Sequence, residues 1–253
     1  MVDVRANLES VRERIARAAE RAGRRPEDVL LIGVSKTVDV ERIRQAVAAG
    51  LTALGENRVQ EAKEKVAALG RPVPWHLIGH LQTNKVRDAL ALFDLLHSVD
   101  RPELALECDR RARQRGQPVE ALVQVNVGGE ASKGGFEPEH LEAALEAIAR
   151  LDHVRVRGLM TIPPVVEHAE EARRWFRTLA GLAKRHGLAE LSMGMSADFE
   201  VAIEEGATMV RVGTAIFGPR TARETVGESR SATATPGRSE RWGSGGHVGA
   251  PSP

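Results

Sequence analysis

Hydrophobic positions along the chain follow two different periods. Val4, Leu8, Val11, Ile15 and Ala18 recur at spacings of four, three, four and three, which predicts an amphipathic helix ending at Gly23. Beyond it, short apolar runs alternate with segments whose apolar residues repeat at helical spacing. The runs that predict strands begin with VLLIGVSK (Val29 to Lys36), TALGEN (Thr52 to Asn57), WHLIGH (Trp75 to His80) and FDLLHSVD (Phe93 to Asp100). EALVQVNV (Glu120 to Val127), VRVRGLMTI (Val154 to Ile162), ELSMGM (Glu190 to Met195) and MVRVGTAIFG (Met209 to Gly218) complete the set. Segments such as VERIRQAVAAG, RVQEAKEKVAALG and PEHLEAALEAIARL separate them and read as helices.

Eight strands with intervening helices, plus one helix in front, predict an α/β fold: a single closed parallel (β/α)8 TIM barrel. An open doubly wound sheet is the alternative, but VSKTVDVERI lacks the glycine-rich turn that such a sheet uses for dinucleotides. Residues 1–220 are therefore expected to form the barrel. The stretch 221–253, rich in Gly, Ser, Thr, Pro and Arg, predicts a disordered tail. Trp242 is its only aromatic residue, too little for a base-stacking platform.

Charge adds little direction. Lys plus Arg number 36 against 35 for Asp plus Glu, so no global field draws in nucleic acid or an anionic membrane, and any anion site must be local. The single cysteine, Cys108, excludes a disulfide framework and suits a reducing compartment. The amino terminus is charged from its third residue, unlike a secretory signal, and no apolar run is long enough to span a bilayer. A cytoplasmic location is the expectation, with neither nucleic acid nor membrane as partner.

In a closed α/β barrel the ligand site lies at the carboxyl ends of the strands. In chain order those ends offer Lys36, Glu56 and Asn57, His80, Ser98 and Asp100, Asn126, Met160 and Thr161, Ser196, Arg211, Gly213 and Thr214. Lys36 taken alone reads as a strand-terminal lysine reaching for solvent. A partly desolvated amine at a barrel mouth, with a lowered pKa, could instead condense with a carbonyl. A phosphate site would favour the second reading, and the loops after strands seven and eight carry its pieces. In SMGMSADFEVAIEEG, Gly194 permits a tight turn and Ser196 is placed to cap the next helix, while Asp198 and Glu200 either oppose an anion or complement the helix dipole. In RVGTAIFG, Gly213 lets the backbone approach an anion and Thr214 adds an amide and a hydroxyl. A lysine opposite a phosphate cradle implies a phosphorylated carbonyl, either pyridoxal phosphate or an aldol substrate.

His76 and His80 would share a metal on a helix, but on a strand they lie about 13 Å apart, so no metal site is expected. His80 is expected to hydrogen-bond at the rim, His76 to be half-buried, and Lys133 in GEASKGGF to be an exposed loop lysine.

The segments VSKTVDVERIRQAVAAGLTALGENRVQEAKEK, WHLIGHLQTNKVR, HSVD, RGLMTIPP and LSMGMSADFEVAIEEGATMVRVGTAIFG together resemble the pyridoxal phosphate homeostasis protein family, from the first helix to about Arg220. The resemblance implies a barrel like the amino-terminal domain of alanine racemase, with pyridoxal 5'-phosphate joined by a Schiff base to Lys36. It also implies that Ser196, Gly213 and Thr214 hold the phosphate, that Arg211 faces the pyridine nitrogen, and that Asn57 and Met160 flank the ring. Members of that family are regarded as carriers or regulators affecting amino-acid and keto-acid balance, so a non-catalytic monomer is expected, with apo forms of pyridoxal phosphate enzymes as recipients. The chain bears on this independently: it has no tyrosine, the usual second-face proton donor of a racemase, and only the tail follows strand eight. An arginine at the ring nitrogen would also weaken the ring as an electron sink. A pyridoxal-phosphate-dependent amino-acid racemase and a Schiff-base aldolase remain as alternatives.

Overall fold

The computed structural model describes residues 2–130 and 133–219; the expected tail, 221–253, lies outside the described residues. Eight parallel strands close into a barrel in sequence order. They are β1 Leu30–Val34, β2 Leu54–Glu56, β3 Trp75–Leu77, β4 Leu95–Val99, β5 Val119–Gln124, β6 Val154–Met160, β7 Glu190–Met195 and β8 Met209–Val212. The helices are α1 Val4–Arg21, α2 Val40–Ala48, α3 Val59–Leu69, α4 Val86–Leu92, α5 Pro102–Arg115, α6 Leu141–Ala149, α7 Arg173–Arg185, α8 Phe199–Glu204 and α9 Thr214–Phe217. Among the described residues no helix is long and apolar enough to cross a membrane.

α1 buries the five predicted positions and Ala19, and Asp3 caps it by accepting from the Ala6 amide at 3.0 Å. It lies across the seam where β8 meets β1. Asn7 donates to the Ile216 carbonyl at 3.0 Å, and Arg14 forms a two-point pair with Glu200 at 2.8 and 3.1 Å. From the other flank Arg12 donates to the Ala49 carbonyl at 3.1 Å. The closure pairs Leu30 with Met209 and Ile32 with Arg211.

Two apolar layers result. Ile32, Ala53, Leu95, Leu122, Met160 and Met209 fill the inside of the barrel, and a larger cluster, including Leu8, Trp75, Phe176 and Phe199, joins the outside of the wall to the helices. Because side chains alternate along a strand, these layers fix the facing of every other strand position. Arg211 shares the inward parity of Met209, whereas Glu56 shares the outward parity of Leu54; Ser35 and Lys36 follow directly after β1.

Strand ends differ from the sequence pattern. The run MVRVGTAIFG is a strand only to Val212; Gly213 starts a helical turn, and Ile216 and Phe217 are buried from that turn. Apolar content alone does not separate a buried strand from a buried helical turn.

Candidate functional site at the barrel mouth

Inside the wall, above the apolar layer, four buried side chains form one hydrogen-bonded chain. Arg211, 4% exposed, donates through Nη1 to Ser192 Oγ at 2.5 Å and through Nη2 to the Thr161 carbonyl at 2.8 Å. Ser192 Oγ lies 2.8 Å from His97 Nδ1, and His97 Nε2 lies 3.0 Å from His76 Nδ1. A guanidinium only donates, so Ser192 Oγ accepts from Arg211 and meets His97 Nδ1 with its own proton or its second lone pair. The two rings are coupled: with its proton on Nε2, His97 donates to His76 Nδ1, and with its proton on Nδ1 it accepts from His76. Burial supports two neutral rings. It lowers the His76 pKa to about 4, and burial, then His76 and Arg211, push His97 well below its ordinary value. Burial also lowers the Arg211 pKa, to about 10 against the attraction of Asp198, so the group remains a cation at neutral pH.

His76 is thus enclosed rather than half-buried, because inward parity on β3 places it against His97. Strand-edge reading does not find His97 or Ser192, which sit below the rim. Their signal is polarity at inward positions of otherwise apolar runs.

At the rim, Lys36 occupies the turn after β1 and is partly buried. Gly213 and Ser196 meet across the ends of β8 and β7, where the Gly213 amide donates to Ser196 Oγ at 3.3 Å. Ser196 therefore does not cap the next helix. Asp198 occupies that position and its Oδ1 instead accepts from the Met195 amide at 2.6 Å, tying off the turn. Gly194 has φ +92°, with the Phe199 backbone close by, so a side chain is excluded from this turn. Glu200 points away to Arg14, and Asp198 is enclosed with its pKa raised by burial, so neither presents an exposed carboxylate at the turn. A side chain at Gly213 would come within 3.3 Å of the Val34 carbonyl, which shows how closely this loop lies against the end of β1. Thr214 is exposed and Asn57 partly buried, while Met160 lies wholly within the barrel's inner layer.

Other rim residues hold loops. His80, exposed on one side, binds the buried Asp100 Oδ2 through Nδ1 at 2.7 Å, and Ser98 Oγ donates to the Gly79 carbonyl at 2.6 Å. Asn126 donates to the Glu130 carbonyl and to Glu137 Oε1, each at 3.1 Å, and Thr161 Oγ1 donates to the Val125 carbonyl at 2.8 Å. Lys133 is not a freely exposed loop lysine: Nζ donates to the Pro163 carbonyl at 2.7 Å and pairs with Glu130, joining two mouth loops. Glu56 lies outside the wall, completely buried. Among the described residues no group of three or more His, Cys, Asp or Glu side chains could hold a metal. Cys108 is buried and its thiol pushed up to about 12 by burial, which makes it unreactive.

A closed parallel barrel with a lysine after β1 and a buried arginine on β8 defines the class. Residues 6–221 match the family described as alanine racemase, N-terminal domain. The fold is also that of the alanine racemase of Clostridium difficile 630, at TM-score 0.67 and 17% identity, covering 87% of this chain and 58% of that one. More closely, the chain is 50% identical over 220 residues to the pyridoxal phosphate homeostasis protein of Aquifex aeolicus (strain VF5), covering 84% of this chain and 96% of the relative. PipY of Synechococcus elongatus PCC7942, solved with PLP bound, superposes at TM-score 0.75 with 40% identity, covering 85% of this chain and all of that one. The chain belongs to the pyridoxal phosphate homeostasis protein family.

Proposed function

We propose that this protein binds pyridoxal 5'-phosphate at the mouth of the barrel and holds and delivers it in cofactor homeostasis, without turning over a substrate of its own. The observation that carries the reading is the place of Lys36 in the turn after β1, on the same barrel rim as the Ser196–Gly213 turn, above a guanidinium held inside the wall. The 40% identical relative solved with PLP bound supports the choice of ligand.

In this reading the Lys36 amine bonds the cofactor's aldehyde carbon and the aldehyde oxygen leaves as water. Ser196, Gly213 and Thr214 hold the phosphate through hydroxyl and backbone N–H groups, and Asn57 and Met160 flank the ring. When bound, the cofactor supplies a ring able to draw electrons from an attached amine. Arg211 faces the ring nitrogen, remains charged and offers only donors, so it disfavours a proton there and weakens that withdrawal. The chain supplies no tyrosine to work the opposite face. A cytoplasmic monomer that passes cofactor to apo-enzymes completes the reading.

The test is absorbance of the protein mixed with pyridoxal phosphate, followed by borohydride reduction and peptide mapping. Wild type should develop an imine band and carry the label on Lys36; Lys36→Ala should lose both. A band that persists in Lys36→Ala without label appearing on another lysine such as Lys133 would overturn the anchor. Faster transfer to an apo-enzyme than release into buffer would support delivery by contact, and equal rates would count against it.

A further inference from the structure

Lys36 is bracketed by backbone contacts that originate outside the barrel. Behind it, the Ser35 carbonyl accepts from Lys65 Nζ; ahead of it, the Thr37 amide donates to Glu61 Oε1 at 2.6 Å. Glu61 and Lys65 are one turn apart on α3 and join each other at 2.6 Å. The remaining Lys65 donor reaches Glu56 Oε1 at 2.7 Å, and that same oxygen accepts from Ser35 Oγ at 2.6 Å. All three ammonium protons therefore have acceptors.

Two independent features single out this cluster. Thr37 has φ +62°, and among the described residues it is the one non-glycine residue with positive φ. A β-branched residue resists that conformation, and such strain persists only where surrounding contacts over-determine it. Lys65 and Glu56 are 6% and 0% exposed, and Glu56 Oε2 is buried without a hydrogen-bond partner. A buried ion pair commonly stabilises a fold no better than apolar side chains of the same volume. Gluing α3 to the wall therefore gives little physical reason for this arrangement, whereas fixing the backbone on both sides of Lys36 gives a direct one.

We propose that Glu61 and Lys65 are positioning residues for Lys36, holding the Ser35–Thr37 backbone in its strained turn so that the amine is presented to an incoming carbonyl. The proposal rests on Lys36 being the anchor for pyridoxal phosphate.

The test measures the rate of covalent attachment by stopped-flow absorbance, together with thermal unfolding of the cofactor-free full chain. Glu61→Ala should slow attachment by about tenfold. Glu61→Gln, whose amide oxygen still accepts from the Thr37 N–H, should lose less, and it keeps the test available should the alanine variant fold poorly. Adding Thr37→Gly to Glu61→Ala should restore most of the rate, because glycine adopts positive φ without the clamp. A merely structural cluster predicts lower thermal stability with an unchanged attachment rate, and that result overturns the proposal. Slowing that Thr37→Gly leaves unrelieved overturns it as well. Failure of the wild type to attach the cofactor at Lys36 would instead refute the underlying assignment of the anchor.

Discussion

Arg211 and His97 are both enclosed in the barrel and burial disfavours the charge on each, yet one stays charged and the other neutral, because the guanidinium starts far above neutral pH and imidazole does not. A histidine buried neutral makes stability depend on pH with a definite sign. Below about 6.5 the unfolded chain takes up a proton that folded His76, with its pKa near 4, refuses, so stability falls as pH drops through that window. From pH 7 to pH 5 the loss should be about 2 kcal/mol per such histidine. Glu56, its pKa raised above 4.5 by burial, works in the opposite direction, adding stability as pH falls toward 4.5, so comparison with a variant isolates the effect. Urea unfolding of His76→Asn should show a smaller difference between pH 7 and pH 5 than wild type; an equal difference would mean that His76 is not buried neutral. Of these side chains, sequence made Lys36, Arg211 and Gly213 visible because they end apolar runs. Lys65 stayed hidden because, on α3, a lysine beside Ala62 and Val66 reads as the solvated edge of the helix.

The strands are shorter than their apolar runs, since pairing stops where the rim loops begin, and their geometry is irregular where β5 meets β6 between Ala121 and Leu122. Gly158 on β6 sits opposite Glu190, and a methyl group there would overlap the Glu190 backbone carbonyl. Gly158→Ala is expected to lower unfolding free energy by about 1–3 kcal/mol. Gly181 on α7 supplies the control: open space surrounds it, so Gly181→Ala should raise stability by about 0.5–1 kcal/mol through helix propensity. Chemical denaturation of the two variants measures both, and equal effects would show that the β6–β7 approach is looser than described. The element boundaries were the least legible feature. Hydrophobic runs report burial, and burial continues past Val212 into α9 and past Leu77 into Ile78.

At the scale of the molecule, closing the ring brings the first and last strands together, with α1 across the join, and so sets Lys36 on the same rim as a loop that follows it by about 175 residues. The barrel supplies a lysine, an arginine and a turn of amides, but no tyrosine anywhere in the chain. With pyridoxal phosphate and single-enantiomer alanine in deuterated water, α-carbon exchange should not exceed that of free cofactor. Exchange above that control would make the protein a catalyst. The sequence by itself determined the number and order of strands and helices, the buried face of α1, the terminal position of Lys36 and the want of a tyrosine, because periodicity and composition are local properties. Only the tertiary structure decided which side of the wall each polar residue faces. It linked Arg211 through Ser192 to His97 and His76, and it placed Glu61 and Lys65 behind the Lys36 turn, because facing and contact depend on register among strands distant in the chain.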